Sequence, residues 1–338
     1  MPGLVCAGAG LLPDGRSGSG YRAHRGRQGK RRVPEEGRRD VVNPDVRVLG
    51  SQVAKLGESP LWSGRDSTLY WVDVDGCSIQ ALSWGSTEPA TWALPGRPSC
   101  IAMTEHDSSF IVGMGAGIIE YNRDSGEWVE LVALESDPFV RMNDGCTDPA
   151  GRLWIGSMDE RADDEPDFPG GHLFRVERDG SAAAVMDRVG TSNGLAFAPD
   201  GSVMYWTDSW QQVVWAFDYD VDTGSAHNQR PLIDFSPLPG KPDGACMDAD
   251  GCYWVACVYG WSVVRITPTG KLDRRVELPV HKPSMPAFAG PNLETMVVTS
   301  ISSGGRHPAE EGSVPAGSLV AFEPGTRGLP EPVCRVRV

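Results

Sequence analysis

The strongest constraint on this chain is that it repeats itself. Asn143-Asp144-Gly145, Asn193-Gly194 and Asp243-Gly244 each open a segment of one design, and they start 50 residues apart. Each segment reads as a polar residue and Gly, a short apolar stretch, an Asp/Pro/Gly turn, then an aromatic strand. A self-similar unit of this length, with several strands per repeat, predicts a propeller blade. Weaker copies extend the series. Leu56-Gly57-Glu58 leads through Trp62 and a turn into Thr68–Asp73, with Glu58 in the opening polar place. Ser99–Met103, Phe110–Met114 and Gly117–Tyr121 form a second unit, and Pro286–Gly290, Thr295–Thr299 and Gly317–Phe322 a sixth. In blades three to five the outer strands are expected near His172–Val176, Val213–Phe217 and Ser262–Ile266. Val46–Leu49 precedes the first unit, as would a strand that completes the last blade and closes the circle without an open edge. The strands are short, aromatic and β-branched, and no long stretch has a 3.6-residue period. The prediction is an all-β fold: a six-bladed β-propeller over residues 41–338, preceded by a basic Gly/Arg-rich extension over 1–40 that is expected to be disordered. The stretch 162–170, rich in Asp, Glu and Pro, is expected to be a surface loop.

Blades joined in a ring form one domain, which removes the choice of one to three domains that 338 residues leave open. The 41 Gly and 27 Pro suit a turn-rich fold. No apolar run approaches the roughly 20 residues of a membrane helix, and the N-terminal stretch makes a poor signal peptide. A cytoplasmic protein without a membrane partner is expected. Formal net charge is −14, yet nine of the 31 Lys and Arg fall in residues 1–40 against four of the 45 acids. The body is therefore more acidic than the whole, which argues against a nucleic-acid partner and suits cation binding. The eight cysteines show no C-x-x-C pair and no metal-finger spacing, so reduced core thiols are expected, Cys246, Cys252 and Cys257 among them. Trp71, Trp154, Trp206 and Trp254 read as one repeated packing position.

The first strand of every propeller blade lines the central channel, so repeat-equivalent residues converge on the axis although they lie far apart in sequence. Here these are Glu58, Asn143, Asn193 and Asp243, with Ser99 and the Pro286 region in the other two blades. Two carboxylates and two carboxamides brought together suit a hard divalent cation, which prefers oxygen ligands and would be neutralised by two acids in a partly dehydrated channel. Asn-Gly and Asp-Gly are also common turn dipeptides, and any one of them alone reads as a turn. Their recurrence in register, with Glu58, favours a site. The six histidines lack zinc-site spacing, and no Gly-x-Ser-x-Gly elbow occurs. The glycines of 113–117 read as turn residues rather than a dinucleotide loop, and Asp73-Val-Asp-Gly76 as a strand-end turn rather than a calcium loop. Asp208, Trp210, Tyr259 and Trp261 follow strands whose loops are expected at the pocket entrance.

Four ordered motifs carry a family resemblance. Gly57-Glu-Ser-Pro-Leu-Trp62, Arg141-Met-Asn-Asp-Gly145, Ser192-Asn-Gly-Leu195 and Pro242-Asp-Gly244 resemble the signatures of the SMP-30/gluconolactonase/regucalcin family, over residues 45–325 or so. The resemblance implies a six-bladed propeller with one divalent metal near the channel mouth. The family's ligands carry over to Glu58, Asn193 and Asp243, with Ca²⁺ first and Zn²⁺, Mn²⁺ or Mg²⁺ as alternatives. Asn143 and Arg141 correspond to residues that contact substrate. The implied reaction is hydrolysis of a small-molecule sugar lactone to its aldonic acid, with Asp243 resembling the proposed general base. This chain departs from the pattern at Ser59, where many members have Gly, and at Phe288-Ala-Gly290, where Phe-Gly-Gly is usual. A calcium-binding regulatory propeller without turnover is the alternative. An interaction scaffold is a third, and the acidic axis speaks against it. Arg141 separates the first two, because a pure cation store has no need of an arginine beside its site.

Overall fold

Six antiparallel sheets of the same plan follow one another along the chain. The computed structural model describes residues 41–42, 44–161, 170–303 and 307–337; the expected extension 1–40 and all but the last residue of the expected loop 162–170 lie outside them. Blade 1 consists of Gly57–Ser63, Thr68–Asp73, Ser78–Ser83 and Ala90–Ala93. Blade 2 runs from Pro98–Met103 out to Trp128–Ala133, and blade 3 from Val140–Thr147 to Ala182–Val189. Blade 4 spans Ser192–Phe197 to Ser225–Asp234, and blade 5 Lys241–Met247 to Leu272–Glu277. Blade 6 takes three strands from Pro283–Ala289, Thr295–Ser300 and Ser318–Phe322, and its outermost strand, Arg47–Val53, from the start of the chain. The predicted closure is therefore present. It ties the ends of the ring together through the ladder between Arg47–Leu49 and Leu319–Ala321. The six innermost strands contact one another in sequence, and the last meets the first, so they surround a common axis.

The structure corrects one expectation about strands. His172–Val176, Val213–Phe217 and Ser262–Ile266 are third strands; a fourth, outermost strand lies beyond each. None of these shows a buried apolar run: Ser225–Asp234 is exposed and polar, Ala182–Val189 is exposed although rich in Ala and Val, and Leu272–Glu277 is half-buried and charged, so apolar patterning does not mark them. Val41–Val42 also adds a short parallel strand to the edge of blade 5.

The core lies between blades. Among the described residues the buried apolar side chains fall into six clusters, one at each contact of neighbouring blades. The tryptophans occupy two positions rather than one. Trp154 and Trp254 pair with Cys146 and Cys246, whereas Trp71 and Trp206 lie two positions further along their strands, opposite a slip in the ladder. Two residues along a strand share a face, so all four still serve packing. Each fully buried indole also finds an acceptor: Trp154 donates to the Tyr219 hydroxyl, Trp206 to Ser192 Oγ and Trp254 to Asp248 Oδ2. Cys77, Cys100, Cys146, Cys246, Cys252, Cys257 and Cys334 are free thiols, as expected. Gly115 lies in the tight turn between two paired strands that include Gly113 and Gly117, and the Asp73–Gly76 stretch forms a strand-end turn, with Asp73 Oδ1 accepting from the Gly76 amide at 2.9 Å.

The C-terminal segment crosses the end of the ring where first and second strands meet. The Cys334 amide donates to Met103 O and the Arg335 amide to Gly151 O, while Gly328 bridges to Asp248. Cys334 and Val336 enter the cluster between blades 2 and 3. The opposite end of the ring carries the cavity described next.

Candidate active site at the open end of the ring

Each innermost strand begins at the same end of the ring, and its backbone ladder slips just where the polar residue stands. The slips fall between Glu58 and Leu61, Met142 and Gly145, Asn193 and Ala196, and Pro242 and Ala245. A bulge re-aims side chains, and repeated bulges turn four equivalent residues toward one cavity. Glu58, Asn143, Asn193 and Asp243 all line it. Blade 6 slips between Pro283 and Pro286, which puts Ser284, not the Pro286 region, in the equivalent place. Ser284 is fully buried and donates to Gly57 O at 2.5 Å; neither it nor Ser99 lines the cavity.

Side chains two apart on a strand share a face, so a second tier stands outside the first. It consists of Leu56, Arg141, Thr191 and Lys241, each two residues upstream of an inner-tier residue, and Trp210 and Tyr259 complete the walls. The cavity measures about 150 Å³. A cavity of that size is on the scale of a small molecule.

A chain of hydrogen bonds orients the amides. Arg141 Nη1 donates to Asn143 Oδ1 at 3.1 Å, and Asn143 Nδ2 donates to Asn193 Oδ1 at 3.1 Å and to Ser192 O at 2.9 Å. Asn193 Nδ2 donates to Ser209 Oγ at 2.8 Å, and the Ser209 hydroxyl donates in turn to Pro242 O at 2.6 Å. This order fixes which end of each amide is oxygen. Arg141 turns inward, with only 15% of its side chain exposed, and its Nε donates to Glu160 at 3.2 Å. Asp208 does not line the cavity. It is fully buried, and its carboxylate accepts from the amides of Gly190, Thr191 and Trp210, which holds the approach to Thr191 in place. Trp261 packs against His281 instead. Of the four entrance residues expected from sequence, Trp210 and Tyr259 are the two that face the cavity.

The acids are under strain of charge. Burial, then Asp243 and Asp144, push the Glu58 carboxyl well above the ordinary range. Burial and Asp144 push Asp243 up to about 8, and burial takes Asp144 to about 6. Asp144 was not singled out by sequence because only its neighbour repeats. It accepts from the Leu195 amide at 3.0 Å, one blade away. The partners that the described residues offer Glu58 and Asp243 are the amides of Ser59 and Gly244 that follow them. Two carboxylates, Asp243 buried and Glu58 half-buried, beside oriented amide oxygens are a donor set that fits a hard dication. No trio of His, Cys, Asp or Glu converges to hold a metal among the described residues, since half of this set is amide.

A profile of the SMP-30/Gluconolactonase/LRE-like region matches residues 56–302. A 6-deoxy-6-sulfogluconolactonase of Pseudomonas putida is 34% identical over 77% of this chain and 88% of its own. A regucalcin of Xenopus laevis is 34% identical over 77% of this chain and 87% of its own. The crystal structure of a calcium-binding protein, regucalcin, from Agrobacterium tumefaciens superposes with a TM-score of 0.79 at 26% identity, covering 88% of this chain and 99% of that one.

Proposed function

The chain belongs to the SMP-30/gluconolactonase/LRE-like family, and we propose on that premise that it hydrolyses a sugar lactone to its aldonic acid. The observation that carries this reading is the inward Arg141, bonded to Asn143 within the cavity that also holds Glu58, Asn193 and Asp243. A divalent cation, Ca²⁺ before Zn²⁺, Mn²⁺ or Mg²⁺, held by Glu58, Asn193 and Asp243, would polarise the lactone carbonyl and acidify a bound water.

The chain's own residues supply the rest. Arg141 and Asn143 hold the substrate's oxygens in a fixed pose, which converts a collision into a positioned reaction. Asp243 takes the proton of the attacking water. As the water oxygen bonds to the carbonyl carbon, the ring C–O bond breaks and Asp243 returns that proton to the ring oxygen, which leaves as a hydroxyl. Trp210 and Tyr259 keep bulk water from the pose.

The test is proton release from a panel of aldonolactones by EDTA-stripped protein, with each of the four cations restored in turn. Hydrolysis should return with the cation, vanish in Glu58→Ala and fall at least about 100-fold in Asp243→Asn, the loss expected for a general base. Tight cation binding without turnover anywhere in the panel would replace this reading with a calcium-binding regulatory propeller, to which the regucalcin relatives give independent weight. Asp243→Asn at wild-type rate would remove the base assignment alone.

A further inference from the structure

Resting on the lactonase reading, we propose that the preferred lactone carries an anionic group at the end remote from its ring ester, and that Lys241 recognises it. The outer tier carries a basic residue in four of the six blades. Arg97, Arg141, Lys241 and Lys282 each stand two residues upstream of the inner-tier residue of their blade. Three of these four are already engaged. Arg97 pairs with Asp75 at 2.8 Å and with Glu160 at 2.9 Å, and Glu160 also receives Arg141 at 3.2 Å. Lys282 is fully buried and donates to His307 O at 2.8 Å. Lys241 differs. It is partly exposed and lines the cavity, and no carboxylate of the described residues pairs with it.

The balance of charge then isolates one cation. Arg97 and Arg141 are offset by Asp75 and Glu160, a dication would offset Glu58 and Asp243, and the remaining acid, Asp144, is buried outside the cavity lining, where it accepts from the Leu195 amide. What remains facing the cavity is the Lys241 ammonium, with Arg141 and the Thr191 hydroxyl beside it along blades 3 to 5. Two strand residues separate the tiers by roughly 6–7 Å, comparable to the length of a six-carbon sugar. A lactone whose carbonyl sits at the inner tier thus places its far terminus at the outer one. A phosphate, sulfonate or carboxylate there would accept a charge-assisted hydrogen bond, whereas a neutral hydroxymethyl group would leave the ammonium without a counter-ion.

The test uses full-length wild type, Lys241→Met and Lys241→Arg. Glucono-1,5-lactone and its 6-phosphate ester are compared as substrates, and gluconate and 6-phosphogluconate as ligands by calorimetry. Wild type should favour the phosphorylated member at least about 10-fold in kcat/KM and in affinity, as a single charge-assisted contact implies. Lys241→Met should bring both ratios close to one and Lys241→Arg should keep them, with a melting curve confirming that each variant is folded. Wild type without the preference, a preference that survives in Lys241→Met, or no binding of either acid overturns the proposal. Failure of both lactones to turn over strikes the lactonase reading, while the binding ratio still decides the role of the lysine.

Discussion

At the scale of single residues, the site is a cluster of acids that the fold buries without neutralising. Glu58, Asp243 and Asp144 all have their proton affinity raised, Asp243 to about 8 and Asp144 to about 6. An unfolded Asp titrates near 3.9. A group whose folded pKa is raised stabilises the fold fully below its unfolded pKa, and that contribution disappears as pH climbs through the folded pKa. Cation-free protein should therefore lose stability between about pH 4 and pH 8, as the cluster charges. Asp243→Asn, neutral throughout, should melt at least about 2 °C above wild type at pH 8.5 in EDTA and lose that advantage at pH 5. Calcium should reverse the order at pH 8.5, because it compensates the charge that Asn lacks. A difference that does not vary with pH would show that Asp243 keeps its charge at no cost to the apo fold.

At the scale of the strand, the bulges explain how four blades aim one residue each at the axis. They also explain the departure at Ser59. Its φ is +49°, in the left-handed region that glycine occupies without penalty, and the matching bulge in blade 4 uses Gly194 at +62°. Ser59 stays because its Oγ accepts from the Ile101 amide at 3.0 Å, a buried bond across to blade 2. Ser59→Ala keeps the backbone strain and orphans that amide, and should cost about 1–3 kcal/mol by urea unfolding. Ser59→Gly orphans the same amide but relieves roughly 1–2 kcal/mol of strain, so it should be the milder change. A Gly variant weaker than the Ala variant would disprove this account. Gly194 leaves no such choice, since a Cβ there would lie 2.2 Å from the Tyr253 hydroxyl. The same geometry sets what sequence can reveal. Glu58, Asn143, Asn193 and Asp243 were legible because they recur in register and sit beside turn glycines. Their second tier was legible only at Arg141, through its motif: Thr191 and Lys241 share a face with the inner tier through the period of two along a strand, and Leu56 and Thr191 interrupt the basic residues there. Ser209, which aligns Asn193, comes from the turn after the next strand of the blade and carries no repeat signal at all.

At the scale of the molecule, the ring is held from two directions. The strand Arg47–Val53 joins its first and last blades at the rim. The C-terminal segment ties blades 5, 2 and 3 together at the end away from the cavity, through Gly328, Cys334 and Arg335. Its grip there is both apolar and ionic. Cys334 and Val336 are 2% and 4% exposed, and Glu105 of blade 2 receives Arg335 and Arg337. The exposed ion pairs are worth little, so the apolar anchors decide. Burial of a valine side chain contributes about 1.5–3 kcal/mol, and an unpaired carboxylate in its place would be far more costly. Val336→Asp should therefore destabilise the whole ring, with a melting temperature lowered by at least about 5 °C. The cavity lies at the other end of blades whose inner strands are fixed by their own ladders, so KM for a lactone should move less than about twofold at 25 °C. A large change in KM with an unchanged melting temperature would mean that the segment communicates with the cavity through the channel rather than clamping the blades. A melting temperature that falls while KM holds would identify closure of the ring as a property separate from the chemistry at its mouth.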